Sequence, residues 1–247
     1  MNNLILVRHG QSKWNELNLF TGWTDVDLTQ NGIEEAYNAG KNLKEKGFNP
    51  QLCFTSYLKR AIKTLNIVLD AMDLDYLPIE KTWRLNEKHY GILQGKNKKA
   101  MVEEFGNEMV QKWRRGFDCP PPVLDKEEQM KQRNDPRYNS IPDNQMPYTE
   151  SLKDCIERLM PFYHSCIEKE LKAGKDILVV AHGNSLRGIV KHLKGISDDE
   201  IASLNIPTAI PYIFEFDDGL NLKKDYFLAD QATLESAQQA VANQSKK

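Results

Sequence analysis

Two strings of nine residues share one pattern. Leu4 to Ser12 reads LILVRHGQS and Ile177 to Ser185 reads ILVVAHGNS: an apolar run, then His-Gly, then a polar residue and Ser. A strand apolar on both faces suits the middle of a parallel sheet, and in open α/β sheets ligands collect at the carboxyl ends of strands. His9 and His182 are therefore expected at one sheet edge, facing each other if their strands are neighbours. Gly10 and Gly183 would let the backbone turn and a ligand approach the amides, and helix starts nearby would add N–H groups suited to an anion. Arg8 precedes the first imidazole. Arg60, one turn into a helix after a strand ending at Thr55, points to the same edge. Arg114 and Arg115 in WRRGF repel each other unless an anion lies between them, and guanidinium forks match phosphate or carboxylate oxygens. With Lys98, these cations outline a pocket for a doubly charged phosphate. Glu87, in LNEKHYG, is the candidate acid: shielded by Trp83 and Tyr90, it would be held protonated by desolvation. His9, His89 and His182 could alternatively supply nitrogens to a metal, which the neighbouring Arg8 disfavours.

The elements that must position these groups alternate. Leu4–Val7, Leu52–Thr55 and Ile177–Ala181 read as strands, with a short one at Leu77–Ile79. Helices are expected at Thr29 to Lys46 with Ile33, Ala36, Tyr37, Gly40 and Leu43 inward, and from a Ser56 cap to about Met72. Further helices are expected from Thr149 to about Lys172, bent at Pro161 and closed by Gly174, and over Ser185 to Leu193. Ser197 to Glu200 fits a capping box. Tyr212–Phe216 and Leu222–Tyr226 form a hairpin through DDGLN. The alternation implies a three-layer α/β/α sandwich with a mostly parallel central sheet, in one domain. Residues from about 83 to 148 form a loop-rich insertion with helical turns at Lys98–Phe105 and Glu108–Arg115, a length that implies a functional role. The tail from about 230 is either a weak helix or disordered.

Composition removes several classes. The 247 residues carry a net charge of −2, so no global basic field points to nucleic acid. Cys53, Cys119, Cys155 and Cys166 have neither CxxC nor zinc spacing, which fits reduced thiols. Leu4–Val7 is too short for a secretory h-region, and no run approaches the roughly 18 apolar residues of a membrane span. A cytoplasmic protein with no membrane partner is expected.

The strings VRHGQSKWN, FTGWTDVDLT, TSYLKRA, LNEKHYGILQG, WRRGFD, TESL, AHGNSLR and LNIPT together resemble the 2,3-bisphosphoglycerate-dependent phosphoglycerate mutases of the histidine phosphatase superfamily, over about Leu4 to Phe227. The resemblance implies interconversion of 3- and 2-phosphoglycerate, with 2,3-bisphosphoglycerate as priming phosphoryl donor and no metal, in a homodimer or homotetramer. It makes His9 the phosphorylated nucleophile, Glu87 the general acid and base, and His182 the stabiliser of the transferring group. Arg8, Arg60, Asn15 and the Gly183-Asn184 backbone would hold phosphoryl oxygens. Thr21, Gly22, Tyr90, Lys98, Arg114 and Arg115 would grip the rest of the substrate, within a lining that also takes in Gly10, Gln11, Ser12, Lys13, Trp14, Lys88 and His89. The insertion and the tail would close over the site and exclude water. A phosphatase of the same superfamily, with water as acceptor, is the alternative.

Overall fold

The computed structural model describes residues 2–243. Its strands are β1 (Asn2–Arg8), β2 (Leu52–Thr55), β3 (Ile79–Lys81), β4 (Ile177–Ala181), β5 (Tyr212–Phe216) and β6 (Leu222–Phe227), in one sheet of order β3-β2-β4-β1-β5-β6. The first four run parallel, and the β5–β6 hairpin adds antiparallel to β1. The helices in chain order are α1 (Lys13–Glu16), α2 (Gln30–Glu45), α3 (Lys59–Met72), α4 (Lys98–Phe105), α5 (Asn107–Arg115), α6 (Lys126–Arg133), α7 (Leu152–Phe162), α8 (Glu168–Lys172), α9 (Gly183–Lys194) and α10 (Gln231–Ala242).

Strand alternation builds the layers, because successive side chains point to opposite faces. Leu4, Leu6, Ile177, Val179 and Phe214 pack with α7, α8 and α9 through Leu159, Leu171, Leu186 and Ile189. Ile5, Val7, Leu178, Val180 and Ile213 pack with α2 and α3 through Leu43, Leu65, Val68 and Met72. The result is the expected α/β/α sandwich. Among the described residues no helix is long and apolar enough to cross a membrane.

Several local expectations are corrected. The inward stripe of α2 is Gly32, Ala36, Ala39, Gly40 and Leu43, while Ile33 and Tyr37 are exposed. The cause is close helix packing: a Cβ on Gly40 would lie 2.6 Å from the Val68 carbonyl, so small residues face α3. Ser56 does not cap α3. Leu58 is the N-cap, without a side-chain bond, and Asp25 accepts the Lys59 N–H at 2.7 Å instead. The third strand begins at Ile79 rather than Leu77. Ser151, not Thr149, caps α7, and after Pro161 the helix widens into a π turn at Tyr163–Ile167 before α8. The insertion packs on the Phe20–Trp23 loop through two small cores, Phe20 with Leu93, Met101, Val110 and Trp113, and Trp23 with Trp83, Tyr138, Ile141 and Met146. The tail is helical to Ala242; residues 244–247 lie outside the described residues.

Candidate active site

Register brings the two histidines together. Leu4 pairs with Ile177 and Arg8 with Ala181, so the two nine-residue strings lie side by side in the same frame. His9 N–H donates to the Ala181 carbonyl at 3.0 Å, and the His9 and His182 ring centroids are 5.0 Å apart.

The hydrogen bonds of His9 fix its tautomer. Nδ1 lies 2.7 Å from the Gly10 carbonyl oxygen, which only accepts, so Nδ1 carries the proton. Arg60 Nε, which only donates, lies 3.3 Å from Nε2, so Nε2 carries the lone pair. Burial first, then the Arg60 and Arg8 cations, hold the His9 pKa well below its ordinary value. His182 is fully buried and is depressed likewise by burial, Arg60, His9 and Arg8. Its Nε2 shares a 2.7 Å hydrogen bond with Ser56 Oγ, which accepts the Leu58 N–H at 3.1 Å. The hydroxyl read from sequence as a helix cap therefore serves an imidazole.

Arg60 is 1% exposed and held on both sides: Nη1 donates to the Thr24 carbonyl at 2.9 Å and Nη2 to that of Gly22 at 2.8 Å, which leaves two N–H groups to spare. Burial lowers its pKa to about 10, which leaves it charged at neutral pH. Arg8 donates from Nη1 to the Ile206 carbonyl at 2.9 Å, while its buried Nε has no partner among the described residues. Glu87 accepts at Oε1 from the Lys88 N–H at 2.9 Å and the Asn184 N–H at 3.0 Å. Its own carbonyl takes Trp23 Nε1–H at 2.7 Å and Arg158 Nη2–H at 2.9 Å, and the buried Arg158–Glu150 ion pair anchors that loop. Both side-chain contacts of Glu87 fall on Oε1 and are with backbone donors.

These groups line one shared cleft, concave as small-molecule sites are. Of the residues singled out from sequence, Arg8, His9, Asn15, Thr21, Gly22, Arg60, Glu87, Tyr90, Lys98, Arg114, Arg115, Gly183 and Asn184 line it. Ser12 N–H donates to Asn15 Oδ1 at 3.1 Å, which turns the amide nitrogen away from the cap. A Cβ on Gly183 would sit 3.6 Å from both Arg8 Nε and Glu87 Oε2, so that glycine does leave space at the cleft.

Others are elsewhere. A Cβ on Gly10 would lie 2.2 Å from the Gly32 carbonyl oxygen, so this glycine admits α2 rather than a ligand. Gln11 takes the Thr29 hydroxyl at 2.8 Å, Ser12 caps α1, Lys13 is exposed, and Trp14 faces a separate groove with Phe105 and Leu124. Lys88 is buried behind the cleft and donates to the Trp113 carbonyl; burial pushes its pKa down to about 8. His89 turns away, with Nδ1 accepting the Gly91 N–H at 3.0 Å and Nε2 bonded to Gln132 at 2.8 Å. Arg115 already holds the Ala202 and Leu204 carbonyls and Asn205 Oδ1, so the Arg114-Arg115 pair does not depend on an anion for its partners. Sequence reasoning missed Arg187, Ser56, Ile206 and Val241. Arg187 carried a usable signal, because three residues after Asn184 is the same helix face.

Six cations and one carboxylate line this cleft among the described residues, so its ligand is a multiply charged anion. The histidine phosphatase superfamily (branch 1) matches residues 4–146 and 125–226. Over all 247 residues, and the full length of each relative, the chain is 58% identical to the 2,3-bisphosphoglycerate-dependent phosphoglycerate mutase of Bacteroides fragilis and 56% identical to that of Elusimicrobium minutum. A mycobacterial glucosyl-3-phosphoglycerate phosphatase structure has the same fold, with a TM-score of 0.69 at 19% identity over 92% of this chain and 97% of that one. The chain belongs to branch 1 of the histidine phosphatase superfamily, and within it to the 2,3-bisphosphoglycerate-dependent phosphoglycerate mutases.

Proposed function

We propose that the protein interconverts 3-phosphoglycerate and 2-phosphoglycerate through a phosphoryl group carried on His9. The observation that carries this reading is the unprotonated Nε2 of His9 in a cationic cleft, held against Arg60 and 5.0 Å ring to ring from the buried imidazole of His182. The names of the full-length relatives support the same reaction.

In each half-cycle the N–P bond at Nε2 and one phosphate-ester bond exchange. When His9 gives up its phosphoryl group, Glu87 takes the proton from the accepting substrate hydroxyl. When His9 is rephosphorylated, Glu87 returns that proton to the departing alkoxide oxygen. Proton and phosphoryl group are both conserved over the cycle. The transition state is loose, with charge on equatorial oxygens, so positioned cations do most of the work. Arg8, Arg60 and His182 meet that charge beside His9; Lys98, Arg114 and Arg115 hold the remainder of the substrate.

The charge of the cleft supports the larger primer as a ligand too, since its cations outnumber its carboxylate and Arg8 Nε has a donor to spare. Bound there, 2,3-bisphosphoglycerate supplies the phosphoryl group that first charges His9. Water must stay out. Val241 of α10 lines the cleft, on a half-buried stripe with Leu234, Ala237 and Gln238, which supports the tail as a cover. As an assembly we read a homodimer or homotetramer acting in the cytoplasm, with sedimentation as the check. The functional test is incubation with labelled 2,3-bisphosphoglycerate followed by 3-phosphoglycerate. Acid-labile label on the His9 peptide and isomerisation well above phosphate release are expected; release without isomerisation would mean a phosphatase.

Lys98 adds a pH dependence. Burial, then Arg114 and Arg8, push its ammonium down to about 7, and a bound anion favours the charged form. Above about pH 7 binding must therefore take up a proton, and affinity for 3-phosphoglycerate falls by up to roughly tenfold per pH unit. Calorimetry between pH 7 and 9 in buffers of different ionisation enthalpy reads this directly. Lys98→Met should bind more weakly with a shallower profile; a flat profile in the unsubstituted protein would contradict the assignment.

A further inference from the structure

Arg187 has no part in the chemistry above, yet it is 2% exposed and lines the cleft. It sits one turn into α9, three residues after Asn184. Its Nη1 donates to Asn184 Oδ1 at 2.8 Å, and its Nη2 donates to the carbonyls of Arg115 at 3.0 Å and Ile201 at 2.6 Å. A guanidinium has donors only, so the Asn184 atom it meets must be the carboxamide oxygen. The amide cannot be reversed without opposing two donors. Its nitrogen is thereby left to donate to Tyr90 Oη, 3.1 Å away.

The polarity propagates one step further. Tyr90 Oη accepts from Asn184, and the single phenolic proton meets no acceptor among the described residues. Tyr90 lines the cleft, with the Lys88 ammonium 4.7 Å from its ring centroid. We propose that Arg187 is a positioning residue that, through the Asn184 carboxamide, obliges the Tyr90 hydroxyl to donate into the cleft and so tunes it for an ionised carboxylate or phosphate oxygen. Without Arg187 the amide is free to turn, Asn184 Oδ1 takes the phenolic proton, and Tyr90 loses its preference for an anion. This inference rests on the cleft being a phosphoglycerate site.

The test is the effect of Tyr90→Phe on the dissociation constant of 3-phosphoglycerate, read by calorimetry in three backgrounds. A hydrogen bond to a charged group is worth roughly 10- to 100-fold, and that loss is expected in the otherwise unsubstituted protein. Arg187→Met keeps the aliphatic stem and removes every donor; there Tyr90→Phe should change affinity less than about threefold. Arg187→Lys keeps one donor for Asn184 but releases the two backbone carbonyls, so the full Tyr90→Phe loss should return. A scaffold role predicts instead the same loss in the Met background, or no return in the Lys background; either outcome overturns the relay. Should the Met variant fail to fold, Arg187→Leu, which also removes every donor, takes its place in the same comparison. Failure of the unsubstituted protein to bind 3-phosphoglycerate would overturn the functional reading and the relay together. Binding with isomerisation, but an undiminished Tyr90→Phe loss in Arg187→Met, overturns the relay alone.

Discussion

His9→Ala is expected to abolish both the labelled phosphoenzyme and isomerisation, a fall of roughly 10⁶-fold, the scale on which a covalent nucleophile is lost. The loss is total because no neighbour can take over. His182 shares its Nε2 with Ser56, so it lacks the arrangement in which a carbonyl fixes the proton on one nitrogen and an arginine meets the lone pair of the other. The fold should survive, since Arg60 keeps the Thr24 and Gly22 carbonyls that anchor it. A control melting temperature near that of the unsubstituted protein is therefore expected. Labelling of the intact protein at saturating primer should also be nearly constant from pH 6.5 upward. The His9 pKa is depressed well below its ordinary value, so the nucleophile is already unprotonated there and a loss appears only at lower pH. Label retained on His9→Ala would move the phosphorylation site elsewhere and remove the basis of the proposed cycle.

The same pair shows what a sequence can and cannot disclose. The echo of LILVRHGQS in ILVVAHGNS was legible because period and punctuation repeat, and the parallel register turned that alignment into contact. Arg60 was legible because a helix turn after a strand end has one direction to face. Contiguity misled. The run from Gln11 to Asn15 enters the family motif as one string, yet α1 disperses it: Ser12 becomes a cap, Lys13 faces solvent, and only Asn15 reaches the cleft. Gly10 was read for a ligand and is needed for Gly32, a contact between segments 22 residues apart that no local pattern encodes. Ser56 has the same lesson. Its type suits a cap, but Asp25 already fills that need from another loop and frees the hydroxyl for His182. Long-range partners decide among roles that local propensity leaves open.

Glu87→Gln should lower kcat by roughly 10²- to 10⁴-fold, the range for a lost general acid or base, with KM for 3-phosphoglycerate nearly unchanged. The split follows from what the amide retains. Its oxygen can still accept the Lys88 and Asn184 N–H groups, and the backbone stays pinned by Trp23 and Arg158 through the Glu87 carbonyl. Binding geometry is thus preserved. What disappears is the oxygen able to take a proton from a hydroxyl; in its place an NH₂ group faces Arg8 across Gly183. Both half-reactions use that oxygen, one as base and one as acid, so the deficit appears in either direction of the isomerisation and also slows labelling by the primer. His9→Ala, by contrast, leaves no label at any time. A Glu87→Gln enzyme with kcat within tenfold of the parent would show that the proton travels by another route, because no second carboxylate lines the cleft among the described residues.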